Sequence, residues 1–263
     1  MTKHRNTRRP GRLWVTTVRR TRLVTPHMRR VTLTSPELAQ FESNGTDQHI
    51  AAYFYDEGVE LPRPFTAEAA RSLYARYKPA LRRYTIREAR PEACEVDIDF
   101  VLHTEAGPAS DWAANADEGD EFIWFGPTPA YTVDAEAPEH LLLGDETAVP
   151  AIAAILEHAP ENAPVRVIVE VAGPEDEQSL PTTAGTSLTW LHRGGDRPGA
   201  ALARVAATLP APSPGTKLWG AAERDAITLL RRLALDTWNL PRPDVHLTAY
   251  WTLGVEQDAD RDD

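Results

Sequence analysis

Leu141-Leu142-Leu143-Gly144-Asp145-Glu146-Thr147-Ala148-Val149-Pro150-Ala151-Ile152-Ala153-Ala154-Ile155-Leu156 reads as an apolar strand, a tight turn and an alanine-rich helix from Ala148 to Leu156. That is the opening of a βαβ unit, and the same rhythm continues after it. Val165 to Val171, Leu188 to Leu191, Lys217 to Gly220 and Val245 to Tyr250 have strand character, while Ala200 to Thr208 and Asp225 to Leu235 have helical character. Alternation of this kind predicts a largely parallel sheet from Glu139 onward. Upstream the pattern is different. Residues 12–34 alternate as strands do, in Leu13-Trp14-Val15-Thr16-Thr17-Val18 and in Arg30-Val31-Thr32-Leu33-Thr34. Further strands are expected at His49 to Tyr55, Arg83 to Ile86, Glu95 to Leu102 and Glu121 to Phe125, which suggests an antiparallel barrel. The segment 58–80 reads as a long loop with a helical stretch from Ala67 to Tyr77. Gly126-Pro127-Thr128-Pro129 and Ala135 to Pro138 read as the hinge between the two halves.

Three segments carry candidate chemistry. In Leu81-Arg82-Arg83-Tyr84-Thr85-Ile86-Arg87 an extended backbone sends Arg82, Tyr84 and Ile86 to one face and Arg83, Thr85 and Arg87 to the other. An aromatic ring there can stack on an isoalloxazine, a threonine hydroxyl can hydrogen-bond its N5, and a guanidinium fork matches a pyrophosphate. The alternative is an exposed basic strand. In His103-Thr104-Glu105-Ala106-Gly107-Pro108-Ala109-Ser110-Asp111-Trp112-Ala113, a Gly-Pro turn opens a short helix, Ala109 to Ala116. Small residues at a helix N-terminus let a phosphate reach its amides, although for this segment alone an ordinary helix capped by Ser110 or Asp111 is the better reading. The turn after Leu143 lies where ligands of parallel sheets bind, but it has no G-x-G-x-x-G. Acidic Asp145 and Glu146 argue against a simple phosphate cradle there.

The order of these segments resembles the siderophore-interacting protein family of flavin-dependent ferric-siderophore reductases, relatives of the ferredoxin reductases. The resemblance rests on Leu23 to Leu33, on Arg82-x-Tyr84-Thr85-x-Arg87, on Gly107-Pro108-Ala109-Ser110 with Trp112-Ala113, and on Gly144-Asp145-Glu146-Thr147-Ala148. Trp190-Leu191-His192-Arg193, Trp219-Gly220-Ala221-Ala222-Glu223 and Tyr250-Trp251-x-x-Gly254 complete it. It implies a six-stranded Greek-key FAD-binding barrel over residues 12–134, followed by a Rossmann-like, ferredoxin reductase-like NAD(P)-binding domain over 139–255. Arg82, Tyr84, Thr85, Arg87 and His103 would contact FAD, and Gly107, Pro108, Ala109, Ser110 and Trp112 would hold its pyrophosphate. Asp145, Thr147 and Ala148 would complete the cofactor site. Tyr84 as platform and Thr85 as partner of N5 are the candidate catalytic residues. The donor implied is NADH, NADPH or reduced ferredoxin, and the substrate a ferric siderophore. A flavin reductase with another acceptor, or a non-enzymatic siderophore-binding protein, are the alternatives. Because such chelates are mostly anionic, His192, Arg193 and Lys217 beside expected strand ends are candidate substrate residues. Ala222 stands where the family usually has glycine and Thr252 where arginine is common, which bears on donor affinity.

Composition agrees with a protein of two modest domains and sizeable cores: 263 residues, 42% of them hydrophobic. Net charge is −11, yet residues 1–30 hold ten lysines and arginines and no acid, so the rest of the chain stands at −21. That acidic body argues against nucleic acid as the main ligand. Residues 1–11 are expected to be a disordered basic arm, and 256–263 an acidic frayed tail. The single cysteine, Cys94, can form neither an internal disulfide nor a thiolate metal site, and no ligand spacing suggests a resident metal. With no apolar run of about 20 residues and no apolar leader, the chain is expected to be a cytoplasmic monomer without membrane insertion.

Overall fold

A computed structural model describes residues 11–43, 45–102, 107–159, 161 and 163–255. Six strands form a closed antiparallel barrel: β1 (Arg12–Thr25), β2 (Met28–Thr34), β3 (Asp47–Phe54), β4 (Ala80–Arg90), β5 (Glu95–Val101) and β6 (Glu121–Tyr131). Their order around it is β1-β2-β5-β4-β3-β6. Alternate side chains of these strands fill the interior, where Trp14 and Trp124, cross-strand partners, stack at 5.2 Å beside Phe100, Ile98 and Leu33. Helix α1 (Ala67–Tyr77) lies between β3 and β4, capped by Thr66, whose hydroxyl accepts from Ala69 N at 3.2 Å. Helix α2 (Pro108–Asn115) lies between β5 and β6.

The second half is a parallel sheet in the order β11-β10-β7-β8-β9, built from β7 (His140–Asp145), β8 (Val165–Val171), β9 (Thr186–His192), β10 (Lys217–Glu223) and β11 (Val245–Trp251). Every residue of β7 is buried, as expected of a central parallel strand covered on both faces, whereas β9 at the edge alternates with solvent. Helices α4 (Ala200–Ala206) and α5 (Arg224–Arg232) cover one face. Helix α3 (Val149–Leu156) covers the other, and all eight of its residues are buried because it is wedged between the sheet and barrel strands β3 and β4. An alanine-rich helix suits that place, since it has no face left for polar side chains. Met28 and Tyr131 of the barrel join the core on this side of the sheet.

One expectation is corrected. Gly126 to Pro129 is not a hinge but runs within β6, and Gly126 takes a φ of +149° where a Cβ would meet the carbonyl oxygen of His49 at 3.1 Å. The linker between β6 and β7 is 132–139. Residues 1–10, 256–263 and His103 lie outside the described residues.

Candidate functional site

The first half of β4, the start of α2 and the carboxyl edge of the parallel sheet meet around a cavity of about 170 Å³. Strand β4 contributes Arg82, Arg83, Tyr84 and Thr85, and α2 contributes Gly107, Ala109 and Ser110. Thr147, Pro150, Tyr250 and Trp251 close it from the sheet. The Tyr84 ring leans on Phe100, 4.4 Å between centroids, so the barrel core supports one side of it while the other lines the cavity. Burial raises its phenol well above the ordinary tyrosine range. Thr85 is buried and hydrogen-bonded to Tyr250, whose own ionisation burial also opposes. Arg82 Nη1 donates to the Leu81 carbonyl at 3.0 Å, which holds one arm of its guanidinium against the strand.

Gly107 decides what this cavity suits. Its φ of −103° is one any residue adopts, and a Cβ placed there would meet no atom of the described residues within 4 Å. Neither backbone strain nor packing against those residues requires glycine at this position. What the missing side chain does is leave open the approach to the N-terminus of α2, where Gly107 as cap residue brings no side chain, Pro108 occupies the first turn, and Ala109 and Ser110 are small. Gly144 is the opposite case, since a Cβ there would lie 2.5 Å from that of Ala148.

A second cavity, of about 500 Å³, shares Arg83, Tyr84, Thr85 and Tyr250 with the first and extends past Asp47, His49 and Thr248. Asp47 is 2% exposed. Its Oδ2 accepts from Trp219 Nε1 at 3.2 Å, its Oδ1 has no hydrogen-bond partner among the described residues, and burial pushes its pKa up to about 6.

Of the expected site residues, Arg82, Tyr84, Thr85, Gly107, Ala109, Ser110 and Thr147 are brought together. Others are not. Arg87 turns to α3 and pairs with Glu157 at 2.8 Å. Pro108 is exposed away from the cavity, and Trp112 packs into the barrel core against Phe54, Phe100 and Phe122. Asp145 is turned inward onto the protein's own amides, and Ala148 is buried in the core between sheet and barrel. The candidate substrate cations are each engaged by acids: His192 with Glu177, Arg193 with Glu146 and Glu170, and Lys217 with Asp134 and Asp244 at the amino end of β10, away from the carboxyl edge. Ala222 sends its methyl into the core beneath α4 and α5 and does not crowd a cofactor edge, while Thr252 accepts from Arg224.

Sequence reasoning passed over Asp99, Val101 and Pro150 as lining residues, and Asp47 in the second cavity. Asp99 is the last of three acids, Glu95, Asp97 and Asp99, on one face of the alternating strand β5, where it pairs with Arg30, and nothing in that pattern sets it apart, while Asp47 at the mouth of β3 looked like an ordinary turn residue. Among the described residues no group of three or more potential metal-ligating side chains forms, and no helix is long and apolar enough to cross a membrane.

Two family models cover almost all of the folded chain: the siderophore-interacting FAD-binding domain over residues 17–131 and the siderophore-interacting protein domain over 137–254. The chain belongs to the siderophore-interacting protein family. Within that family it is 30% identical over 242 residues to the ferric vibriobactin reductase of Vibrio cholerae, covering 91% of this chain and 89% of that one. It is 42% identical over 179 residues to an uncharacterised protein of Mycobacterium tuberculosis, covering 66% of this chain; the match spans 63% of that relative's length. The structure of the siderophore-interacting protein SipS from Aeromonas hydrophila superposes with a TM-score of 0.80 at 33% identity over 93% of both chains. The ferredoxin reductase-like fold is shared more widely, as with the FAD/NAD-binding domain of a Vibrio cholerae nitric oxide dioxygenase, TM-score 0.66 at 15% identity, over 92% of this chain and all of that domain. FAD fits the residues present: an open glycine at a helix N-terminus, a guanidinium fork, and an aromatic platform with its far side supported.

Proposed function

We propose that this protein is an FAD-dependent ferric-siderophore reductase that passes electrons from a reduced donor to chelated Fe(III) and releases Fe(II). The observation that carries the reading is Gly107, a glycine required by neither φ nor packing against the described residues, set beside Arg82, Tyr84 and Thr85 at the mouth of one cavity. When bound, FAD supplies the ability to take electrons from a two-electron or one-electron donor and deliver them singly to iron.

The chain's own residues then have positional tasks. Gly107, Ala109 and Ser110 admit the pyrophosphate to the start of α2, where the helix dipole favours negative charge, and Arg82 supplies a fixed counter-charge. Tyr84 offers a ring held from behind by Phe100. Thr85, buried and tied to Tyr250, fixes a hydroxyl midway along the strand. Tyr250 and Trp251 narrow the access of water from the sheet side. The 500 Å³ cavity, with Arg83 and His49 on its wall, is the space in which a ferric chelate would reach the same stretch of β4. Reduction to Fe(II) weakens hard oxygen coordination, so release of the metal needs no acid–base pair. The donor, a reduced nicotinamide or reduced ferredoxin, acts from the sheet side, and a cytoplasmic setting with both at hand is part of the reading.

The test is the visible spectrum of the purified protein under anaerobic reduction, followed by addition of a ferric siderophore in the presence of a ferrous-specific chromophore. Flavin bands that bleach and then return, with about two equivalents of ferrous iron trapped per flavin, are expected. Bands that bleach but do not return with the chelate would leave a flavoprotein with another acceptor. A colourless protein that takes up no FAD would leave a siderophore-binding protein.

A further inference from the structure

In parallel-sheet domains a dinucleotide's pyrophosphate is ordinarily received at the carboxyl edge, on amides left unpaired at a helix N-terminus. Here that edge is lined differently. The neighbouring strands β10, β7 and β8 carry Glu223, Asp145 and Glu170 at or beside their carboxyl ends, and these side chains are 1%, 0% and 0% exposed. Each is turned onto amides that follow its own or an adjacent strand.

At the turn after β7, Asp145 Oδ1 accepts from Thr147 N at 3.0 Å and from the Thr147 hydroxyl at 2.5 Å. Its Oδ2 accepts from Glu223 N at 2.9 Å and Trp251 Nε1 at 2.8 Å. Pro150, in the first turn of α3, has no N–H to offer. After β10, Glu223 Oε2 covers the start of α5 by accepting from Asp225 N at 2.6 Å and Ala226 N at 3.4 Å, and its Oε1 accepts from Leu253 N at 3.3 Å. After β8, Glu170 takes Gly199 N at 2.8 Å and Leu202 N at 2.9 Å at the start of α4. Of the cations beside this row, Arg193 is shared between Glu170 and Glu146, and Arg224 donates to Thr252. A phosphate arriving at any of these amides would have to displace a buried carboxylate from its hydrogen bonds and then sit beside it.

We propose that the parallel-sheet half of this protein has no pyrophosphate site, and that the electron donor is recognised at its reducing group without any hold on the phosphates of a dinucleotide. The inference rests on the flavin reading above only in presuming that a donor exists. It predicts that NADH and NADPH have no advantage over a phosphate-free donor that carries the same ring.

Two measurements on the FAD-loaded protein test it. In titration calorimetry, ADP-ribose and its 2′-phosphate should give no saturable binding up to about 5 mM, whereas saturation below about 0.1 mM overturns the proposal. In stopped-flow bleaching of the flavin, the second-order rate constants for NADH, NADPH and N-benzyl-dihydronicotinamide should agree within about tenfold after correction for their potentials; a preference of about a hundredfold or more for either dinucleotide overturns it. Should none of the three donors react, the calorimetry alone decides. Failure to load FAD would refute the preceding section and is seen in the spectrum before any titration. ADP-ribose binding to loaded protein would refute only the absence of the pyrophosphate site.

Discussion

Helix α2 begins at Gly107, a cap residue with no side chain, and helix α5 begins at Glu223, whose buried carboxylate covers two of its first amides. Both starts lie near the cleft between barrel and sheet. The same electrostatic feature, a partly positive helix end, is left approachable in one half and neutralised from within in the other. The difference teaches that a fold shared with dinucleotide-binding proteins does not specify where phosphate is bound. What specifies it is whether the protein's own acceptors already hold the amides.

The comparison can be sharpened by substitutions on each side. Arg82→Ala removes the fork beside the open helix end and should weaken FAD binding by about 10- to 100-fold, the loss of one or two charge-assisted hydrogen bonds, with unfolding temperature unchanged. Fluorescence quenching of added FAD measures it. Retained affinity would move the phosphate away from β4.

Burial raises the pKa of two carboxyls, Asp145 to about 7 despite its four hydrogen bonds, and Asp47, which among the described residues accepts from Trp219 alone. Its folded pKa of about 6 lies above the ordinary 3.8. Below about pH 4 it is protonated folded or unfolded and its burial is tolerated. As pH rises through about 6 the folded state must hold the anion, and the stability available at low pH is lost. Asp47→Asn should therefore be more stable than the parent by on the order of 2 kcal/mol at pH 7, with the gap closing toward pH 4, as read by urea unfolding across that range. A gap independent of pH would contradict the assignment.

Glu223→Ala uncovers the start of α5 and should cost about 1–2 kcal/mol in the same assay while leaving FAD affinity unchanged. If FAD binding fell with it, the two edges would not be independent. The smallest effect belongs to Arg87→Ala. Its partner Glu157 is partly exposed, so the loss should stay below about 1 kcal/mol with no change in flavin affinity, a result that separates this arginine from Arg82 on the same strand.

How much of this could be read in the sequence follows from what periodicity reports. The apolar run Leu141 to Leu143 announced the first strand of a βαβ unit, and the series of strands separated by turns between residues 12 and 125 announced a barrel, because burial pattern is a local property of the chain. Gly107, Arg82 and Thr85 were legible for the same reason: their chemistry depends on neighbours in sequence. Charge partners were not legible. Arg87, Arg193 and Lys217 look available in one dimension, and only packing brings up Glu157, Glu146 with Glu170, and Asp134 with Asp244. Asp145 and Glu146 hinted that the turn after β7 was no phosphate cradle, but that Asp145 reaches across to the amide of Glu223 depends on strand order, which spacing cannot give.

The most direct test of the account is FAD binding to the apoprotein and to its Gly107→Val variant, measured by calorimetry alongside thermal unfolding. A Cβ at this position meets no atom of the described residues within 4 Å, so the variant should fold with an unchanged unfolding temperature and lose FAD affinity by about a hundredfold, because the valine stands in the approach to α2. Unchanged affinity in a folded variant would contradict the claim that this helix end receives the cofactor.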